Sequence, residues 1–142
     1  MGHRRKAREY ALQALYMYET VGCKFDELCE LDWTDKDVPD DIRDFAVSLI
    51  SGSIQNISYV DTLITDFAKN WEFERINAVD KAVLRISIFA LIYHPDIPGA
   101  VAINEGVELG KKYGGDASGQ FINGVLDAIR RAELKSGGKK KS

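Results

Sequence analysis

Cysteine, histidine and proline are all scarce in this chain of 142 residues. Its two cysteines, Cys23 and Cys29, lie in an acidic neighbourhood with no second pair and no histidine to complete a metal site, so they read as reduced thiols. His94 has Asp96 two residues on, but no serine elbow or paired-cysteine motif accompanies it; it stands before Pro95, where a helix ends. No apolar run approaches the roughly 20 residues that span a bilayer, and the charged start is not followed by a signal-type apolar segment. These absences argue against a membrane protein, a disulfide scaffold and a metalloenzyme, and a cytoplasmic location is expected. No internal repeat or Pro/Ser-rich linker divides the chain, so one domain is expected.

Two motif-like stretches fail on spacing. Residues 106–112 have three residues between their glycines where a phosphate loop needs four, lack its Ser/Thr, and fall inside a helical pattern. The acidic stretch at 26–44 has no calcium-loop spacing. No catalytic residue, cofactor or metal is therefore expected.

What the chain does have is segregated charge. It is acidic overall, with a net charge of -3. Residues 26–44 hold Asp26, Glu27, Glu30, Asp32, Asp35, Asp37, Asp40, Asp41 and Asp44 against only Lys36 and Arg43. The bases gather at the ends, in Arg4, Arg5, Lys6 and Arg8 and in Lys135, Lys139, Lys140 and Lys141. Such separation makes local fields that the sum conceals, and a basic cluster fused to a helix start points to a polyanion.

The apolar periodicity is helical throughout, with no convincing strand. A first helix over 4–21 places Ala7, Ala11, Ala14, Leu15 and Tyr18 on a core face and stops at Gly22. A second face of that helix carries Arg5, Arg8, Leu12, Tyr16 and Glu19, and is free to meet a partner. A short helix over 25–31 follows. Residues 40–69 predict two helices, broken near 51–52 or 56–58, with Pro39 at the first turn. Residues 75–93 are apolar almost all round and predict a central helix, with Asp80, Lys81 and Arg85 marking an opening to solvent. A helix from Pro98-Gly99 to about 113 aligns Ala102, Gly106 and Gly110 for close packing. Gly114-Gly115 ends it, Asp116 or Ser118 caps the next, and 121–134 completes the fold. The tail, 136–142, is expected to be disordered.

Three stretches combine into a signature. They are Arg4-Arg5-Lys6-Ala7-Arg8-Glu9-Tyr10-Ala11-Leu12-Gln13-Ala14-Leu15-Tyr16, then Val79-Asp80-Lys81-Ala82-Val83-Leu84-Arg85-Ile86, then Val101-Ala102-Ile103-Asn104-Glu105 with Phe121-Ile122-Asn123-Gly124-Val125-Leu126-Asp127. In order and spacing, over nearly the whole chain, they resemble the NusB family of bacterial transcription antitermination factors. The resemblance implies an all-α fold of about seven helices in two small packed bundles, filling residues 1–135. It also implies a non-enzymatic role: binding the boxA element of nascent RNA together with NusE, a small-subunit ribosomal protein. The complex then joins RNA polymerase with other Nus factors, notably at ribosomal RNA operons.

By the same resemblance, RNA contact maps onto Arg4, Arg5, Lys6 and Arg8, with Gln120, Phe121 and Asn123 as further candidates. Arginine forks match phosphate geometry, and splayed bases stack on aromatic rings beside hydrogen-bonding side chains. Phe121 is equally readable as core, since its helical spacing to Val125 explains it. A NusE-binding face is expected at Leu12, Tyr16 and Glu19, neighboured by Phe67, Asp80 and Leu84: apolar anchors among acids, suited to a basic ribosomal protein. Tyr16 is expected to be exposed. The 114–119 loop departs from the family pattern, with Ala117 and Gly119 where polar or charged side chains are usual, so its RNA contacts do not carry over. Monomer and homodimer both stay open.

Two other classes fit the same residues: a helical protein-binding scaffold, and the RNA-binding accessory domain of an RNA-modification system. The chain carries no glycine-rich cofactor motif of the latter's enzymes. If the basic cluster is an exposed helix end, replacing Arg5 and Arg8 together should weaken RNA binding and leave melting nearly unchanged.

Overall fold

A computed structural model describes residues 2–31, 34 and 37–136. The tail from 137, with Lys139, Lys140 and Lys141, lies outside the described residues, as do Asp32, Asp35 and Lys36. Among those described there are seven α-helices and no strand: α1 (Gly2–Thr20), α2 (Phe25–Glu30), α3 (Asp40–Gln55), α4 (Ile57–Phe67), α5 (Ala78–Tyr93), α6 (Gly99–Gly114) and α7 (Asp116–Lys135). A single 3₁₀ turn, Phe73–Arg75, leads into α5. The first three helices form one small bundle and α4 to α7 a second; α5 packs against α1 and α3 as well as α4, α6 and α7, so it joins the two. No helix among the described residues is long and apolar enough to cross a membrane.

The helix ends follow local chemistry. Gly22, at φ +77°, turns the chain out of α1, while the Val21 and Gly22 amides donate to the Met17 carbonyl. The α3–α4 break falls at Asn56, whose amide side chain donates to the Gly52 carbonyl at 2.8 Å. Asn77 caps α5 by accepting from the Asp80 amide at 2.8 Å, a contact worth about 1 kcal/mol, and so starts that helix later than the apolar pattern alone suggests. At the other end His94 adopts an extended conformation ahead of Pro95.

The core runs along α5. Leu84, Ile88 and Ile92 are wholly enclosed, each contributing about 2 kcal/mol through burial. The small-residue face of α6 meets it closely: a Cβ on Gly106 would lie 2.4 Å from Ser87 Oγ.

Three local expectations are corrected. Asp80, Lys81 and Arg85 do not open the bundle to solvent; all three are buried. Arg85 donates through Nε and Nη2 to Asp61 of α4 and through Nη1 to Glu19 of α1, each at 2.9 Å, and Lys81 donates to Glu19 at 3.1 Å. Both cations also sit by the Phe73 ring, Lys81 at 4.4 Å and Arg85 at 5.7 Å. The charges are internal because partners distant in sequence neutralise them, tying α1, α4 and α5 together.

Pro39 stands at the cap position before α3 rather than inside its first turn. Finally, α7 begins at Asp116, and neither Asp116 nor Ser118 caps it. Gly115, at φ +94° and ψ -179°, makes the junction, a conformation essentially reserved for glycine. Ser118 is buried inside the helix and donates to the Gly114 carbonyl.

Candidate nucleic-acid interface

The start of α1 lies across Phe45 of α3 and the middle of α6. The Arg4 guanidinium stands 4.4 Å from the centre of the Phe45 ring and that of Arg8 5.4 Å, while the same ring meets His94 edge-on at 5.8 Å. Arg5 makes a two-pronged contact with Glu105, Nε to Oε1 and Nη2 to Oε2, both 3.2 Å. Arg8 reaches the same carboxylate at 3.5 Å. These arginines are not equivalent: the Arg5 side chain is 57% exposed, whereas Arg8 as a residue is 7% exposed. The expectation of a uniformly solvated basic end therefore fails at Arg8. Burial, against the pull of Glu105 and with the push of Arg4 and Arg5, lowers the Arg8 pKa from its ordinary value.

Lys6 keeps an exposed head near Glu9, at 4.0 Å, and near the Tyr10 ring, at 5.2 Å. Glu9 also accepts from Lys112 of α6, which raises the Lys112 pKa. The neighbouring Lys111 lays its stem over Gly119 of α7, where a Cβ would come within 2.6 Å of Lys111 Cγ. A basic track thus runs from α1, over the last turn of α6, to the first turns of α7. Beside it lies a depression of about 170 Å³ lined by Arg5, Arg8, Glu9, Glu105 and Lys112. Carboxylates hold the cations in place here, and a phosphate would compete for the same forks.

The track ends beside the further candidates. Gln120 and Asn123 are exposed on α7. Phe121 is neither core nor free: it is half-buried, with its ring edge-on to Trp71 at 5.8 Å and 66°.

Further along α1 the surface changes character. Tyr16 is 42% exposed and lines an apolar groove of about 380 Å³ with Leu12, Gln13, Met17, Val79 and Tyr113. Of the other residues expected on this face, Leu12 is largely covered and Leu84 wholly enclosed, while Phe67 does not line the groove. Asp80 is buried beside Asn77 and Ser118 and lines a different depression. Glu19 is committed to Lys81 and Arg85: burial pushes its carboxyl pKa up, and the hydrogen bonds from those two cations outweigh that and leave it low. The groove is therefore centred on Tyr16, with α5 contributing Val79 and α6 contributing Tyr113.

Glu105, Phe45, Lys111, Lys112 and Trp71 were not singled out by sequence reasoning. Arg5 and Glu105 are a hundred positions apart, and no local spacing announces such a pair. Among the described residues, no group of three or more His, Cys, Asp or Glu side chains is placed to hold a metal ion.

Fold and site together define a small two-bundle helical protein whose first helix carries a basic edge and, along its length, an apolar groove. The NusB family model matches residues 5–131, and the chain belongs to that family. It is 44% identical over 129 residues to the transcription antitermination protein NusB of Syntrophus aciditrophicus, covering 91% of this chain and 80% of the relative. It is 40% identical over 134 residues to that of Leptospira biflexa, covering 94% and 96%. Among solved structures, T. maritima NusB matches with a TM-score of 0.80 at 33% identity, over 90% of each chain. The antitermination factors NusB and NusE in complex with double-stranded RNA give a TM-score of 0.77 at 27% identity, over 93% of this chain and 98% of the matched one.

Proposed function

We propose that this protein is a transcription antitermination factor that binds boxA RNA together with NusE. It then helps to load the antitermination complex on RNA polymerase, notably at ribosomal RNA operons. It works by binding rather than by catalysis, and does so in the cytoplasm. The observation that carries this reading is the adjacency on one helix of an exposed basic start, Arg4, Arg5 and Lys6, and the Tyr16 groove about three turns further on. A phosphate backbone is drawn to the first, with a salt dependence set by the number of cations engaged. A partner's apolar side chains fit the second. Two ligands held side by side on one helix stabilise each other's binding where they also touch one another.

The test is binding of boxA RNA and a scrambled strand, each with and without NusE. The boxA strand should bind weakly alone and more tightly with NusE, and scrambling should remove the gain. Equal binding of both strands in the presence of NusE would overturn the reading.

A further inference from the structure

Beyond the arginine edge, the molecule has a second aromatic site. We propose that the cleft lined by Trp71 and Phe121 holds one unpaired RNA base, guanine in preference to the others, with Trp71 as its stacking platform and Asp80 as a hydrogen-bond acceptor at its floor. This rests on the RNA reading above and extends it from backbone contact to base recognition.

Trp71 is 56% exposed, an unusual position for so large an apolar ring, yet it is held in place. Its amide donates to the Ala68 carbonyl at 3.0 Å, and its ring meets Phe121 edge-on. An edge-on contact leaves ring faces uncovered, which is what a stacking base needs. The two rings wall a cleft of about 210 Å³, the size for a single heterocycle, closed by Ile76, Asn77, Asp80, Ala117 and Ser118.

Its floor is polar and incomplete. Asp80 is 6% exposed, and its Oδ1 has no hydrogen-bond partner among the described residues. Two donors stand by this carboxylate: Asn77 reaches Oδ2 at 3.4 Å, and Ser118, which acts on Asp80, donates at 3.3 Å to the Gly114 carbonyl. Burial raises the Asp80 pKa, and hydrogen bonding from Ser118 and Asn77 opposes that rise without cancelling it.

On the rim stands Arg75, its side chain well exposed and held only by an exposed ion pair with Glu72 at 3.5 Å. Aromatic walls, an acceptor floor and a cationic rim together fit a base with N–H donors and the phosphate attached to it. Guanine offers adjacent ring and amino N–H donors to a carboxylate, whereas adenine and cytosine set a ring-nitrogen acceptor beside the amino group and uracil offers one N–H between two carbonyls. An apolar protein side chain would leave Oδ1 unsatisfied, and a lysine or arginine would meet the charge of Arg75. The basic track delivers the strand here, since Lys111 crosses α7 at Gly119, beside Ser118 and Gln120.

The chain has two tryptophans, so a Trp33→Phe background makes Trp71 the sole indole reporter. The probes are abasic ribose-phosphate strands carrying one guanine, adenine, cytosine or uracil, and a fully abasic strand. The guanine strand should bind most tightly and quench Trp71, and the fully abasic strand should bind without quenching. In the parent chain, Trp71→Ala should weaken guanine-strand binding about tenfold, the size of one base–aromatic stack, while Trp71→Phe restores most of it. Asp80→Asn should narrow the guanine-over-uracil preference.

Equal affinity of Trp71→Ala and parent, with RNA binding still weakened by Arg5→Ala, overturns the cleft and leaves the RNA reading standing. Quenching by NusE without RNA makes the cleft a protein contact and also overturns it. No binding of any strand overturns the RNA reading and this inference with it.

Discussion

Replacing Arg8 with alanine removes a side chain that looks like part of an exposed basic tag but is built into the fold. Three contacts are lost: the 3.5 Å approach to Glu105, the 5.4 Å approach to the Phe45 ring, and the stem's own packing. Breaking a buried ion pair costs about 3–5 kcal/mol when the remaining charge is stranded. Here Glu105 keeps its two-pronged contact with Arg5, so that full penalty does not arise. A cation–π contact of this kind adds about 0.5–1 kcal/mol. The net loss is about 1–2 kcal/mol, which in a chain of this length lowers the melting temperature by roughly 3–7 °C. Arg5→Ala, at a mostly exposed side chain, should stay within about 0.5 kcal/mol of the parent. Thermal unfolding followed by circular dichroism separates the two variants. RNA titrations at several salt concentrations should show the salt slope falling by about one for Arg5→Ala. Arg8→Ala melting with the parent would refute the reasoning, and so would Arg5→Ala destabilising as much as Arg8→Ala.

Three further outcomes follow from the geometry. Arg85→Met strands the partly solvated Asp61 carboxylate, while Glu19 keeps Lys81, and should cost about 2–4 kcal/mol in denaturant unfolding, with partial recovery when Asp61→Asn is added. Gly115→Ala forces a side chain into a conformation essentially reserved for glycine and should cost about 1–3 kcal/mol by the same measurement. Because the Glu19 carboxyl is held below its ordinary value, its stabilising contribution is complete above the unfolded pKa, near 4.5, and is lost as pH falls through the lower folded value. The stability gap between parent and Glu19→Gln, read from melts across acidic pH, should therefore close as pH falls.

The helices were legible because their punctuation is local. Gly22, Asn56 and Pro95 break the chain by backbone preference or by a side-chain bond to a carbonyl a turn away, and the all-round apolar pattern of α5 marks the helix the others surround. Charge was legible as a cluster but not as an environment. Arg8, Lys81 and Arg85 read as solvated because their carboxylates, Glu105, Glu19 and Asp61, come from helices distant in the chain. The junction at Gly115 was visible as a glycine pair, yet which glycine ended one helix and whether a cap was needed depended on the close approach of α6 and α7. Tyr16 was identified from its helical face. Val79 and Tyr113, which complete its groove, were not, because α5 and α6 had no known relation to α1 before they were folded together.

The central claim is that one helix holds RNA at its start and a protein partner further along. The most direct test is the affinity for boxA RNA, with and without NusE, of the parent, Arg5→Ala and Tyr16→Ala. The account predicts that Arg5→Ala weakens RNA binding in both conditions. It predicts that Tyr16→Ala leaves RNA binding alone unchanged but removes the gain that NusE confers. An undiminished NusE gain in Tyr16→Ala, or undiminished RNA binding in Arg5→Ala, would contradict it.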